Sequence, residues 1–111
     1  MRTLREVIAD SEARHVGIGH FNIAEMVAFE AIAKAARETK LPIFIGTAES
    51  ERKFIGAKQA VALVRSLREE GLEVFLNADH HKSLEAIKEA VEAGYDSVLF
   101  DGGALSLEEN I

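Results

Sequence analysis

Apolar residues along this chain switch back and forth between two spacings, and each switch marks the boundary of an element. Leu4, Val7 and Ile8 recur at helical spacing among charges, which predicts a short amphipathic helix over residues 2–13. The segment 16–22, VGIGHFN, alternates small and apolar residues and reads as a first strand, with Gly17 and Gly19 leaving room for close packing or a ligand. Residues 23–39 predict a long helix in which Met26, Phe29, Ala33 and Ala36 return every three or four positions. Pro42 stops it and opens a second apolar strand over 42–47. The polar stretch 48–56 reads as the outgoing loop, and 57–70 as a helix with Val61, Val64 and Leu67 on one side and Gly71 as its stop. A third strand covers 73–81, EVFLNADHH. The helix after it, 82–93, carries Leu84, Ile87 and Val91 as its buried stripe, with Ser83 as a cap. Gly94 ends that helix, 95–101 is a fourth strand, and Gly102 with Gly103 turns the chain out of it. Ser106 followed by Glu109 then reads as a capping box that opens a further helix.

Strands that alternate with helices imply an α/β fold with a parallel sheet, because parallel neighbours need a crossover that a helix supplies. Neither a GxGxxG fingerprint nor a Walker-type loop follows the first strand, which favours a parallel (β/α)8 TIM-barrel type over an open doubly wound sheet. A complete barrel takes on the order of 200 residues or more. The 111 residues therefore read as one domain, 1–111, holding about the first four βα units of a barrel.

Composition narrows the chemistry. At 48% hydrophobic and 29% charged the chain is ordinary globular protein, and no apolar run approaches the ~18 residues that cross a bilayer. Glu6, Asp10 and Glu12 stand where a signal peptide would be apolar, so the expectation is a cytoplasmic protein with no membrane partner. A formal net charge of -6 argues against nucleic acid, which selects basic surfaces, but leaves room for an anionic metabolite held by local cations, N–H groups or a metal. With no cysteine, any metal must be held by His, Asp or Glu, and four histidines are the only nitrogen candidates.

The candidate chemistry gathers at the end of the third strand. Val74, Phe75 and Leu76 can lie within a sheet, while Asn77, Asp79, His80 and His81 fall at its C-terminal end, where parallel α/β folds build their sites. A carboxylate beside an imidazole there can put a general acid/base next to a metal ligand, while the same pair taken alone also reads as a loop or cap feature. His81 reads as a solvated loop residue, since adjacent side chains on an extended segment point apart. His20 reads as a satisfied structural histidine. Asn22 is either a substrate-side amide or the N-cap of the long helix, and Asp101 is either a metal-site carboxylate or ordinary turn chemistry before Gly-Gly. Arg52, Lys53 and Lys82 are loop cations that either hold a phosphate or are simply solvated.

Taken in order, these stretches resemble the zinc-dependent class II ketose-bisphosphate aldolases, and the likeness runs the full length. GHFNIAE at 19–25 is similar to the family's first-strand motif around a Phe-Asn pair, ERKFIG at 51–56 to its second loop, and ADH at 78–80 to its motif of catalytic Asp and zinc-binding His. AGYDSVLFDG followed by LSLEENI resembles its fourth strand and the start of the next helix. The resemblance implies Zn2+ as cofactor and a phosphorylated ketose, fructose or tagatose bisphosphate, as substrate, cleaved reversibly to dihydroxyacetone phosphate and an aldehyde. It implies Asp79 as the acid/base that takes the proton from the hydroxyl on the carbon released as aldehyde, and His80 as one zinc ligand, the metal polarising the ketone. Asp101 would belong to a second or alternate metal position, with Asn22 and Gly102 on the substrate side.

The chain also departs from that pattern. Asn77 stands where members often carry His, Gly46 where a Gln is common, Ala48 where a serine lies near the substrate, and Gly103 and Ala104 where a Ser-His pair is frequent. The family's other zinc histidines lie in the second half of the barrel, so the resemblance implies a chain that is inactive or incomplete by itself. It would be completed by a complementing C-terminal half or by forming a homo-oligomer. The alternative is a non-catalytic half-barrel that self-associates through its exposed strand edges.

Overall fold

Four short runs of apolar and β-branched residues each pair in parallel with the next. The computed structural model describes residues 1–111. In chain order they form α1 (Leu4–Ala13), β1 (Gly19–Asn22), α2 (Met26–Thr39), β2 (Ile43–Thr47), α3 (Glu49–Ile55), α4 (Ala57–Glu69), β3 (Val74–His81), α5 (Leu84–Ala93) and β4 (Ser97–Phe100). The sheet runs β1-β2-β3-β4 with every pair parallel. A strand order that never reverses is the progression of a barrel wall; a doubly wound sheet turns back at a switch point. The α/β expectation of successive parallel βα units therefore holds.

Register assigns each residue to a row, and alternate rows face opposite sides. Ile43 and Val74 share one row, and Ile45 and Leu76 another; with Ala78 they pack against Phe29, Ala33 and Ala36 of α2, Ala60, Val64 and Leu67 of α4 and Ala90 of α5. The opposite face carries His20, Phe44 and Phe75 in one row, with successive ring centroids 6.0 and 5.9 Å apart. Above it, toward the C-terminal ends of the strands, comes a polar row of Asn22, Gly46, Asn77 and Ser97. One face of the sheet thus holds the core and the other leads up to the candidate chemistry.

Several elements differ from the sequence expectation. The first strand is shorter, beginning at Gly19. The polar stretch after β2 is not a loop but α3, because Glu51 accepts a hydrogen bond from the Ala48 N–H at 2.6 Å and Arg52 donates its N–H to the Ala48 carbonyl at 2.8 Å. Arg52 is buried, donating to the Ala86 carbonyl at 3.2 Å and to Glu89 at 3.1 Å, so it ties α3 to α5 and is no phosphate holder. Ser83 caps α5 as expected, accepting from the Ala86 N–H at 3.1 Å. That cap sets the helix phase so that the small residues Ala86 and Ala90 meet the sheet, while Leu84 and Val91 are 76% and 56% exposed. The Ser106–Glu109 box forms at 2.9 and 3.2 Å, but opens only a turn closed by Asn110 N–H on the Ser106 carbonyl. No helix is long and apolar enough to cross a membrane.

Helix α1 begins with a capping box between Thr3 and Glu6, and Arg2 just before it reaches Glu73 at 2.8 and 2.6 Å, at the start of the third strand. That hydrogen bond is the chief reason the Glu73 carboxyl lies below its ordinary value.

Two outcomes follow for stability. Leu76→Ala should cost roughly 2–5 kcal/mol in denaturant unfolding, as buried Leu truncations do, whereas Leu84→Ala should stay within about 0.5 kcal/mol. A lowered carboxyl pKa contributes stability that is complete above the ordinary carboxylate value and lost as pH falls through the lowered one. The melting-temperature deficit of Arg2→Ala should therefore be largest near neutral pH and close in acid; a deficit that does not change with pH would contradict the Arg2–Glu73 tie.

Candidate active site

Strand β3 breaks its regular pairing just where the polar residues begin. Ala78 pairs with Val98 and His81 with Phe100, so Asp79 and His80 together face the single residue Leu99 across the ladder. Two residues opposing one is a β-bulge, which re-aims side chains. His80 takes a φ of 45°, the left-handed region that non-glycine residues seldom enter. In an unbroken strand, residues 79 and 80 would point to opposite faces. Here His80 Nε2 lies 3.9 Å from Asp79 Oδ1, so both groups stand at one end of the sheet.

Each is held by a partner at the end of another strand. Asn22 at the end of β1 donates through Nδ2 to Asp79 Oδ2 at 3.0 Å and also to Glu51 Oε2 at 3.1 Å. Asp101, just after β4, accepts from His80 Nδ1 at 3.1 Å and from the Gly103 N–H at 3.0 Å. The Gly103 N–H, and then His80, hold the Asp101 carboxyl below the usual carboxylate range. An ionised carboxylate only accepts, so His80 Nδ1 carries the hydrogen, which in the neutral ring leaves the lone pair on Nε2. Metal-binding histidines are oriented in this way, with the second ring nitrogen donating to a carboxylate.

The remaining predicted residues divide. Gly102 packs against Asn110, whose Nδ2 donates to the Gly102 carbonyl at 2.9 Å, and a Cβ there would collide with that amide. Asn22 does not cap α2; Glu25 does, accepting from the N–H groups of Val27 and Ala28 at 2.7 and 2.8 Å. His20 is exposed on the sheet face, where Asn77 Nδ2 donates to its Nε2 at 3.1 Å, so the ring is hydrogen-bonded without being buried. Its ring lies across Gly46, where a Cβ would meet both the ring and Asn22 Oδ1. Ser97 donates to Asn77 Oδ1 at 2.8 Å and fixes that amide. His81, expected in solvent, is completely buried. Lys82 is exposed, and its N–H donates to Glu49 at 2.6 Å. Sequence reasoning missed Glu51, which shares Asn22 with Asp79; an acid three residues past the helix-opening Ala48 was the available signal.

No group of three or more His, Cys, Asp or Glu side chains is arranged so that it could hold a metal ion. The donor set is one imidazole with its tautomer fixed and an ionised carboxylate behind it, which suits a single ligand of a metal whose other ligands come from elsewhere. Two apolar concavities of about 540 and 650 Å³ lie on the helical side, one between α1 and α2 and one between α2 and α4, with few polar groups to handle a sugar.

Residues 2–111 match the family model described as "Fructose-bisphosphate aldolase class-II". The chain is 34% identical to a 6-phospho-5-dehydro-2-deoxy-D-gluconate aldolase of Bacillus licheniformis, over 98% of this chain and 39% of that protein. It is 32% identical to a fructose-bisphosphate aldolase of Helicobacter pylori, over 96% of this chain and 35% of that one. Among solved structures it is similar to the YdjI aldolase of Escherichia coli K12, with a TM-score of 0.84 and 26% identity across 99% of this chain and 43% of that chain. The chain thus spans about two fifths of the length of these relatives, and its four parallel strands, the first three each followed by a helix, are those of a half-barrel. Matched from residue 2 to residue 111, the chain belongs to the class II fructose-bisphosphate aldolase family.

Proposed function

We propose that this chain carries the acid/base and one zinc-binding histidine of a lyase that reversibly cleaves a ketose bisphosphate to dihydroxyacetone phosphate and an aldehyde. The observation that supports it above the others is the bulge that leaves the Asp79 carboxylate and the His80 imidazole side by side at the strand ends.

Asp79 takes the proton from the hydroxyl on the carbon that becomes the aldehyde and returns it in synthesis. Its side chain is only 18% exposed, and Asn22 holds Oδ2, which leaves Oδ1 as the oxygen for that proton. His80 would offer Nε2 to zinc, with Asp101 setting its tautomer from behind rather than standing as a separate ligand. When bound, zinc supplies Lewis-acid polarisation of the ketone and stabilises the charge that develops as the carbon–carbon bond breaks. A catalytic zinc has three protein ligands, and this chain offers one, so the other two belong to a complementing half. Gly102 and Asn22 border the substrate. The relatives' names divide between fructose bisphosphate and a phosphorylated dehydro-deoxygluconate, and the shared chemistry is a phosphorylated sugar chain that carries a ketone.

A second reading rests on the two sheet edges. β1 and β4 each have one strand neighbour, and Val98, Leu99 and Phe100 are all more than a third exposed. Such edges favour completion by further strands, from a C-terminal half or from a second copy of this half-barrel without catalysis. Native mass spectrometry distinguishes the two: a metal-free dimer with no turnover supports self-association.

In the complete protein, Asp79→Asn should lower kcat for fructose or tagatose bisphosphate cleavage by about 10²–10⁴-fold while leaving zinc content intact. His80→Ala should lower zinc content as well as rate. Asn22→Ala, which removes a hydrogen bond to a charged group, should cost about tenfold or more in kcat. An Asp79→Asn protein that turns over like the parent would remove this assignment.

A further inference from the structure

His81 has no part in the chemistry above, yet its placement is costly. The ring is completely buried, and Nε2 has neither a partner nor access to solvent. Folded proteins rarely leave a buried polar atom unpaired, and an apolar side chain at this position would avoid the loss. What the imidazole offers and an apolar residue does not is its other nitrogen. His81 Nδ1 lies 3.0 Å from the Asp79 carbonyl oxygen. A carbonyl only accepts, so Nδ1 carries the hydrogen.

That carbonyl belongs to the peptide joining Asp79 to His80, inside the bulge, directly before the left-handed His80. Strained backbone of this kind persists only where its surroundings over-determine it. The backbone of His81 adds a second tie, since its own carbonyl accepts the Asp101 N–H at 2.8 Å. One residue therefore grips the peptide that aims His80 and also the residue whose carboxylate holds the His80 ring. On the far side, Glu49 fixes the Lys82 N–H at 2.6 Å, so the bulge is pinned at both ends.

We propose that His81 is a positioning residue: its Nδ1–H on the Asp79 carbonyl holds the left-handed turn at His80 and keeps Asp79 and His80 directed at one site. The effect on turnover rests on the aldolase reading; the hydrogen bond and the turn do not.

The test uses the complete protein with His81→Leu, which fills the space without a donor, and His81→Asn, whose amide N–H can replace Nδ1–H. Zinc affinity by chelator competition should weaken by about 10–100-fold in His81→Leu, as when a ligand loses an outer partner, and His81→Asn should recover most of it. The loss in cleavage should appear in kcat more than in KM, again with recovery in His81→Asn. Nitrogen-15 NMR of the unsubstituted protein should show a slowly exchanging hydrogen on His81 Nδ1 and none on Nε2. A His81→Leu protein with unchanged zinc affinity and kcat, or a ring protonated at Nε2 alone, would overturn the proposal. If His81→Leu does not fold, the ring-nitrogen spectrum and His81→Asn still decide it. If the complete protein cleaves no ketose bisphosphate, the aldolase reading fails, while the zinc and NMR results still judge His81.

Discussion

Two residues adjacent on a strand cannot ordinarily serve one site, because the pleat sends their side chains to opposite faces. This constraint organises the C-terminal end of the sheet. The chain meets it with one extra residue in β3 opposite β4 and a left-handed backbone at His80. A non-glycine residue held there costs on the order of 1–3 kcal/mol, and the surrounding contacts must offset it. They come from every side: Asn22 on the Asp79 carboxylate, Asp101 on the His80 ring, the His81 ring on the Asp79 carbonyl and Glu49 on the Lys82 N–H. The strain is located where two consecutive side chains are brought to the same end of the sheet.

The rest of the fold supplies a rigid base for that end. The helix-facing rows of β2 and β3 are filled by Ile43, Ile45, Val74, Leu76 and Ala78 against α2, α4 and α5, and β1 and β4, which lead to Asn22 and Asp101, are held to this core by their ladders to β2 and β3. The opposite face is graded, with rings from His20, Phe44 and Phe75 below and the polar row of Asn22, Gly46, Asn77 and Ser97 above. Gly46 makes that row possible, since any side chain on it would displace His20 and Asn22. Gly46 and Asn77 are therefore linked: the His20 ring crosses the glycine and takes a hydrogen bond from the asparagine.

Much of this was legible in the residues. The strand and helix succession followed from periodicity because each apolar run is bounded by a proline, a glycine or a cap, as at Pro42, Gly71, Ser83 and Gly94. What failed were features set by partners distant in sequence. The stretch 48–56 is polar in composition, and although local bonds from Ala48 to Glu51 and Arg52 close its helix, the burial of Arg52 depends on Ala86 and Glu89, 34 and 37 residues further on. Leu84 and Val91 lie at helical spacing, but the faces of α5 are set by how closely Ala86 and Ala90 approach the sheet. At the site, the Asp79–His80 pair could be read from its place at a strand end, whereas burial of His81 could not, because a bulge breaks the alternation on which that reading relied.

The most direct measurement is proton NMR of the complete protein loaded with cobalt(II) in place of zinc. Coordination through His80 Nε2, with Nδ1–H on Asp101, predicts a hyperfine-shifted ring signal from His80 together with an exchangeable Nδ1 proton that disappears in D2O. A His80 ring with no shifted signal, or one shifted without an exchangeable proton, would show that this imidazole is not held for a metal in the way the bulge and Asp101 require.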